Sequence, residues 1–330
     1  MANKNALIQH SMFDVPEIKH QIDRPKRAYA QWDREKVATI LHLGAGVQSS
    51  TLAEMIVEGD LEPVTAAVFC DTGNEPPWVY VQVRRLQERL ASVNIPLMVL
   101  TNGSIVEDAY ATTAEKRFAS MPLYVLKPDG SKGVLRRQCT REYKIEPGEG
   151  WIKNWLADNG HATRYTNKLG HKGVRVSTRA QVESWFGFSL DEYQRMSAPR
   201  VKWIKKRYPL IEKRMTRKDC FRYLESKGLP IPGKSSCMVC PYHSDEFWAL
   251  LKNEHPDLFE EVCKFDDWLR TDEAMAGFTR ALEGGAYVHK SCQPLRSIDF
   301  DALEEQRAEM QPGQLIPLYM YDTCNDYCHT

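Results

Sequence analysis

Three short apolar runs, separated by stretches with helical spacing, organise the first hundred residues of the chain. The runs cover 37–43, 64–70 and 96–101 and are rich in aliphatic and β-branched residues. Helical patterns follow the first run from Leu52 and the second run over 78–92. Continuous apolar runs are typical of strands buried on both faces, and their alternation with helices is typical of parallel sheets. The pattern therefore predicts an α/β fold built on a doubly wound parallel sheet.

The first apolar run ends in glycines and hydroxyl residues where a helix is expected to begin. Glycine allows close backbone approach, and N–H groups at a helix N-terminus attract phosphate. No Gly-Lys-Ser/Thr follows, so the segment is not a Walker A loop, and it lacks the third glycine of a dinucleotide fingerprint. An ordinary strand–helix turn is the alternative to a phosphate-binding loop. The candidate loop residues are Leu43, Gly44, Ala45, Gly46, Val47, Gln48, Ser49 and Ser50.

A second polar segment follows the second apolar run. It reads Asp71, Thr72, Gly73, Asn74 and Glu75. Open α/β sheets bind ligands at the carboxyl ends of their parallel strands. The order of elements therefore predicts that this segment lies beside the first loop, with Asp71 near a ribose or near a magnesium ion on the phosphates.

Cysteine spacing indicates metal or redox chemistry. The chain has nine cysteines, and the sharpest element is Cys237-Met238-Val239-Cys240-Pro241. Two thiolates at this spacing can bind one metal, and a following proline is common in iron–sulfur sites. Zinc binding and a redox pair are alternatives. Candidates for the remaining ligands are Cys139, Cys324 and Cys328, then Cys292, His243 and Cys263.

Taken together, these motifs resemble the PP-loop superfamily. That group includes phosphoadenosine phosphosulfate (PAPS) reductases, N-type ATP pyrophosphatases and related thiolation enzymes. The resemblance covers roughly residues 36–300 and is closest to the reductase-like branch. It rests on the order of the segments 44–50, 71–75, 137–147, 187–195, 208–210 and 236–241.

The loop also departs from the Ser-Gly-Gly-x-Asp-Ser pattern of the ATP pyrophosphatases. Gly44, Ala45 and Gln48 stand where that pattern has serine, glycine and aspartate. A glutamine at this position is closer to the sulfonucleotide reductases. The chain nevertheless ends without their Glu-Cys-Gly tail. Three functions follow as hypotheses: cleavage of ATP between the α- and β-phosphates, thioredoxin-dependent reduction of PAPS, and nucleotide sensing without catalysis.

The resemblance implies roles for individual residues. Lys144 and Arg195, with Arg179, would neutralise charge on the leaving group. Cys324 or Cys328 would be the nucleophile if the substrate is PAPS. Cys139 would join Cys237 and Cys240 around a [4Fe–4S] cluster, and Cys324 is our candidate for the fourth ligand. The alternative is that Cys324 and Cys328 together close the site. Zinc is the alternative metal, and Mg²⁺ would accompany ATP. A tail cysteine bound to metal cannot also be the nucleophile, so the two roles of Cys324 exclude each other.

Composition limits the partners. The chain has 330 residues, 42% hydrophobic and 27% charged, with a net charge of zero. This balance gives no global electrostatic case for nucleic acid, although residues 195–218 are locally basic. No apolar run reaches the length of a membrane span, and the N-terminus has no signal-peptide core, so we expect a cytoplasmic protein. The expected partners are an adenine nucleotide, ATP or PAPS, with a thioredoxin-like reductant or a nucleic-acid acceptor, and a homodimer as the candidate assembly.

Three regions are predicted. An N-terminal arm covers 1–35, and a PP-loop nucleotide-binding α/β core covers 36–150. A helical, cysteine-containing region over 151–330 is expected to complete the site.

Overall fold

The computed structural model describes residues 34–111, 121–277, 284–300 and 302. Its central sheet has five parallel strands. In spatial order they are Leu97–Thr101 (β3), Ala66–Asp71 (β2), Glu35–Leu43 (β1), Ala180–Phe186 (β8) and Ile204–Arg207 (β9).

Helices cover both faces of this sheet. On one face, Val47–Val57 (α1), Pro77–Ala91 (α2) and Arg217–Ser226 (α6) share an apolar cluster with the sheet. On the other face, Glu146–Asp158 (α4) buries Ile152 and Leu156 against apolar side chains of the strands. The predicted doubly wound α/β fold is confirmed, because the three predicted strands are β1, β2 and β3 of one parallel sheet.

The remaining elements complete the described chain. The helices are Ile105–Tyr110 (α3), Pro209–Glu212 (α5), Asp245–Glu254 (α7), Pro256–Trp268 (α8) and Asp272–Gly277 (α9). A π-helical turn covers Arg141–Ile145, and 3₁₀ turns cover Leu190–Arg195 and Leu295–Ser297. A small antiparallel sheet joins Gly285–Tyr287 (β10), Tyr124–Leu126 (β4) and Lys132–Val134 (β5). Ala162–Thr166 (β6) and Lys172–Val176 (β7) form a separate hairpin.

The sequence pattern did not predict β8, which lies inside the main sheet between β1 and β9. β8 pairs with β1, and His42 lies opposite Phe186 in the register. Its sequence, Ala-Gln-Val-Glu-Ser-Trp-Phe, has polar residues inside a strand that is buried over most of its length. The expected helical region after residue 150 therefore contains helices and also two strands of the main sheet. The predicted boundary at 150 falls within α4, and the three-region division stays a prediction.

Helix α1 begins earlier than the apolar pattern suggested. It starts at Val47 rather than near Leu52, so Gln48, Ser49 and Ser50 form its first turn. Gly46 is the N-cap and makes no side-chain capping hydrogen bond. Ala45, just before it, has a φ of 58°, which is uncommon for a residue with a side chain. The sharp reversal from β1 into α1 thus occupies only three residues.

None of the helices in the described ranges is both long and apolar enough to cross a membrane.

Candidate functional site

A cavity of about 290 Å³ opens at the carboxyl ends of β1, β2 and β8. The turn between β1 and α1 forms its floor, and the start of α4 and the 3₁₀ turn at Leu190–Arg195 contribute walls. Its position agrees with the rule that open α/β sheets bind ligands beyond the carboxyl ends of their strands. Of the predicted residues, the cavity lining includes Leu43, Gly44, Gly46, Val47, Gln48, Ser49, Lys144 and Arg195.

The turn at the floor presents backbone N–H groups. The N–H of Gly44 donates to Oγ of Ser49 at 3.1 Å, and this hydroxyl donates to the carbonyl of Gly46 at 3.3 Å. These bonds hold the turn against the first turn of α1, where the early N–H groups of a helix lack intrahelical partners. Such a terminus carries partial positive charge, so the floor is suited to phosphate oxygens.

Two predicted loop residues face away from the cavity. Ala45 is 1% exposed and packs in the apolar cluster under α1. The hydroxyl of Ser50 accepts a hydrogen bond from Nε2 of Gln82 on α2 at 3.1 Å. Both residues therefore fix the turn and α1 in place, and the cavity lining does not include them.

Gln48 connects the turn to two charged residues of the cavity wall. Its Nε2 donates to a carboxylate oxygen of Glu192 at 3.1 Å, and its Oε1 accepts from Arg217 at 3.0 Å. Glu192 in turn accepts from Nη1 of Arg195 at 2.7 Å. An aspartate at position 48 would face the carboxylate of Glu192, so the glutamine matches its surroundings as a neutral donor and acceptor.

Positive charge dominates the cavity. Lysine and arginine contribute seven lining residues, whereas glutamate contributes two. Burial and the nearby Arg200 lower the pKa of Lys206 below its usual value. An excess of cations over carboxylates in the lining of a partly buried space favours an anionic ligand. The cations are Arg137, Lys144, Arg195, Arg200, Lys206, Arg217 and Lys234.

The face of the sheet under α4 forms a less charged wall. The ring of His42 stacks on Phe186 with centroids 4.6 Å apart. Burial, with a smaller contribution from Lys206, lowers the pKa of His42 to about 4, so the ring is neutral at physiological pH. Its Nε2 is buried without a hydrogen-bond partner in the described structure, as is the hydroxyl of Ser184. This wall offers flat apolar surface and two polar groups without partners.

The cavity is closed from the other side by residues 233–236, of which the sequence motifs included only Ser236. Gly233, Lys234, Ser235 and Ser236 all line it. They approach the turn so closely that a Cβ on Gly46 would lie 2.6 Å from Oγ of Ser235. The hydroxyl of Ser236 is buried and unpartnered within the described residues. The Gly-Lys-Ser-Ser sequence immediately before the Cys-x-x-Cys motif is the feature from which this part of the site could have been predicted.

The segment after β2 lies close by but outside the cavity lining. Oδ1 of Asp71 accepts from the N–H of Gly73 at 2.8 Å and from the hydroxyl of Tyr80 at 3.0 Å. Thr72 donates to Glu75 at 3.1 Å. Asn74 accepts from the backbone N–H groups of residues 238 and 239, at 2.8 and 3.2 Å. The segment therefore braces the Cys-x-x-Cys turn, and a direct contact with the nucleotide stays a prediction.

Lys144 joins this segment to the cavity. Its Nζ lies 3.9 Å from Oε1 of Glu75. Burial raises the pKa of Glu75, and the positive charge of Lys144 acts in the opposite direction. Arg179, the third cation expected to act on the leaving group, is exposed and lies outside the cavity lining.

The cysteines come together only in part. Cys139 lies near enough to Cys240 for the charge of that thiolate to raise its pKa, although burial is the larger cause. Cys237 and Cys240 share one turn, closed by a 3.0 Å backbone hydrogen bond. Within the described ranges, however, no three Cys, His, Asp or Glu side chains are placed to hold one metal ion. Cys324 and Cys328 lie outside the described residues.

Cys70 lies at the edge of the cavity. It is only half-buried, lines the cavity, and donates to the carbonyl of Lys144 at 3.1 Å. Burial raises the pKa of its thiol to about 11. Cys220, in contrast, is fully buried among apolar side chains.

Comparison with known proteins finds likeness only in three dimensions. No family model matches the chain, and no curated protein matches it. A phosphate complex of the PAPS reductase from Candida auris is 17% identical, with a TM-score of 0.34, over 59% of this chain and 75% of that one. The U34-tRNA thiolase NcsA from Methanococcus maripaludis, solved with its [4Fe–4S] cluster, is 11% identical, with a TM-score of 0.36, over 83% of each chain. Likeness at this level carries no information about reaction or substrate.

Proposed function

We propose that the chain is a PAPS reductase-like PP-loop enzyme that binds an adenine nucleotide and cleaves ATP between its α- and β-phosphates. One observation carries the proposal. The turn at Gly44–Ser49 and the N-terminus of α1 open into a cavity lined by seven cationic residues. Polyphosphate is the ligand class that matches both the backbone donors and the excess positive charge.

The phosphates would lie in the cavity over the N-terminus of α1, within reach of both the turn and the Gly233–Ser236 segment. Lys234 and Arg217 both line the cavity. The buried hydroxyls of Thr140 and Ser236 have no hydrogen-bond partner in the described structure. Buried polar groups normally find partners, so we assign these hydroxyls to oxygens of the bound nucleotide.

The adenine base would lie against the wall under α4. Phe186 and Ile204 supply apolar surface there, and the neutral imidazole of His42 supplies one hydrogen-bonding nitrogen. Ser184, which is fully buried, supplies a second group. A largely apolar pocket with a few placed polar groups is typical of sites for small planar ligands.

The reaction follows from the charge distribution. An oxygen of the acceptor attacks the α-phosphorus, the bond to the bridging oxygen breaks, and pyrophosphate leaves with the bond electrons. Negative charge then grows on the leaving group, and fixed cations in a partly dry cavity stabilise it. Lys144, Arg217 and Lys234 are the residues assigned to this role, and Mg²⁺ would enter as part of the ATP substrate.

ATP is preferred over PAPS because of the thiols near the cavity. PAPS reduction needs a thiolate that attacks sulfur, and within the described lining Cys70 is the sole cysteine. Its raised pKa, about 11, keeps it protonated at neutral pH and makes it a poor nucleophile. Reduction of PAPS would depend on Cys324 or Cys328, and it stands as the second candidate function.

A parallel assay with ATP and with PAPS tests the proposal. The full chain, purified without oxygen, is expected to release pyrophosphate from ATP when a suitable acceptor is present, and to release no sulfite from PAPS with thioredoxin. Sulfite release that is lost in Cys324→Ser or Cys328→Ser would instead establish a reductase. Tight nucleotide binding with neither product in the presence of candidate acceptors would favour a sensor.

An iron–sulfur cluster is a separate part of the proposal. The Cys237-x-x-Cys240-Pro motif and the nearby Cys139 support it, and Cys324 is the proposed fourth ligand. Because the described thiols form only a partial ligand set, no step of the proposed reaction passes through a cluster. When bound, a cluster would supply electron transfer or sulfur handling beside the nucleotide.

Removal of the paired thiols is expected to abolish the cluster. The variant Cys237→Ser/Cys240→Ser should be colourless after anaerobic purification and hold no iron, whereas the wild type should show broad visible absorption with iron and sulfide. Cys220→Ala, which changes a buried thiol in the apolar cluster, is the matched control and should keep the cluster. Stoichiometric zinc and no iron in the wild type would contradict the iron–sulfur assignment.

A partner in addition to the adenine nucleotide is indicated only by the sequence resemblance. A thioredoxin-like reductant belongs with the PAPS hypothesis, and a nucleic-acid acceptor belongs with ATP cleavage. A homodimer and a cytoplasmic location also stay predictions.

A further inference from the structure

One exposed segment has a charge that differs sharply from that of the whole chain. The chain has 44 basic and 44 acidic residues, yet between Asp158 and Glu183 there is no acidic residue. The same stretch contains five cations, Arg164, Lys168, Lys172, Arg175 and Arg179. It folds into the β6–β7 hairpin. A concentration of one sign of charge on one element is the electrostatic signature of a polyanion-binding surface.

The hairpin is an ordered ribbon with a defined tip. Thr166 pairs with Lys172, and Asn167 closes the turn by accepting from the N–H groups of Leu169 and His171, each at 2.9 Å. Leu169 at the tip is 82% exposed. At about 3.3 Å per residue, each five-residue strand extends for roughly 17 Å. The cations are therefore held on one hydrogen-bonded hairpin.

Little of the hairpin contributes to the core. Ala162 and Val176, at its base, pack against the apolar cluster under α4. Beyond them the β6 residues are exposed, and Tyr165 lies across Gly173 with Arg175 over its ring at 5.4 Å. An isolated two-stranded ribbon gains little stability from itself. Its outer residues are thus free of packing demands and available for recognition.

We propose that the β6–β7 hairpin binds duplex DNA, with the ribbon in the major groove and its cations on the flanking phosphates. The major groove of B-form DNA admits a two-stranded ribbon, whereas the major groove of A-form RNA is too deep and narrow for side chains to reach. The registers place cations on both faces of the ribbon, since Lys172 lies on one face and Arg175 on the other, whereas Arg164 is paired with Asp158 at 2.8 Å. A groove with phosphates on both sides matches this arrangement.

The hairpin lies at the other end of α4 from the cavity. Glu149, near the start of α4, lines the cavity, and β6 begins four residues after α4 ends at Asp158. A 13-residue helix is about 20 Å long. DNA binding by the hairpin is therefore independent of the nucleotide site, and it does not rest on the proposed reaction.

Fluorescence anisotropy with a labelled 20-base-pair DNA duplex and the full chain, without nucleotide, tests the proposal. The variant Lys168→Glu/Lys172→Glu/Arg175→Glu is expected to bind at least about tenfold more weakly. If these three residues each contact a phosphate, the slope of log affinity against log salt should fall by about 2–3. The control Arg84→Glu/Lys127→Glu/Lys264→Glu makes the same change in net charge at exposed positions elsewhere and should bind like the wild type.

Other results would overturn the proposal. They are no binding of the duplex, equal weakening by the control variant, or stronger binding to duplex RNA or to anionic vesicles than to DNA. Circular dichroism and thermal unfolding of the triple variant should match those of the wild type, because the changed side chains are exposed. A single variant, Lys168→Gln, at the turn, gives a second measurement and should lower the salt slope by about one.

Discussion

Replacement of Arg195 by methionine is expected to lower the free energy of unfolding by about 3–5 kcal/mol. Glu192 is 3% exposed, and its carboxylate accepts from Arg195 at 2.7 Å and from Gln48 at 3.1 Å. Without the guanidinium, a buried carboxylate loses the cation that is bonded to it. Urea unfolding followed by tryptophan fluorescence measures the loss.

A second ion pair of the same spacing provides the control. Arg222 and Asp219 are also three residues apart on one turn, but both side chains are largely exposed. Arg222→Met should therefore cost no more than about 1 kcal/mol. The double variant Arg195→Met/Glu192→Gln should recover much of the lost stability, since it removes the unpaired charge. If Arg195→Met lowers the free energy of unfolding no more than Arg222→Met does, the buried Arg195–Glu192 ion pair would be contradicted.

Replacement of Gly187 by alanine is expected to disrupt the turn between β1 and α1, which is the proposed phosphate site. The added Cβ would lie 2.7 Å from the backbone N and 2.8 Å from the Cα of Ser49. These are backbone atoms of the first turn of α1, which cannot rotate away as a side chain can. Overpacking of this kind typically costs about 1–3 kcal/mol. Nucleotide affinity should fall more than stability, because the displaced N–H groups form the floor of the cavity.

Gly150→Ala is the matched control for this substitution. Gly150 lies within α4, and a Cβ there would meet no atom within 4 Å. Alanine at this position should raise stability by up to about 1 kcal/mol and leave nucleotide affinity unchanged. Thermal unfolding and calorimetric titration with ATP measure both quantities. Wild-type ATP affinity in Gly187→Ala would show that the turn does not bind phosphate.

The sequence predicted the local part of the fold well. β1, β2 and β3 were expected because each is an apolar run, and α2 was expected over nearly its full length. β8 was not expected, because Glu183 and Ser184 break its apolar pattern. Glu183 is tolerated in a buried strand through bonds to the indole of Trp185 and to Lys205 and Arg207. These compensating contacts depend on the folded structure, so the periodicity of the sequence does not reveal them.

The residues of the candidate site were also predictable only in part. The glycine and serine residues of the turn are adjacent in sequence, and this alone made them recognisable. His42, Ser184 and Lys234 all line the cavity, although they lie far apart in the chain. The segment at Asp71–Glu75 holds the Cys-x-x-Cys turn through Asn74, and its contact with the nucleotide stays a prediction. Its sequence position at the end of β2 indicated proximity to the site without indicating which neighbour it would contact.

Calorimetric titration with ATP is the most direct test of the nucleotide site. The wild type should bind ATP at a single site, and inorganic tripolyphosphate should compete for it. The double variant Arg217→Gln/Lys234→Gln removes two cations of the cavity and should weaken binding at least about tenfold. The exposed pair Arg84→Gln/Lys264→Gln should have no effect. Failure of the wild type to bind either ATP or PAPS, or unchanged affinity in the Arg217/Lys234 variant, would contradict an adenine nucleotide site in this cavity.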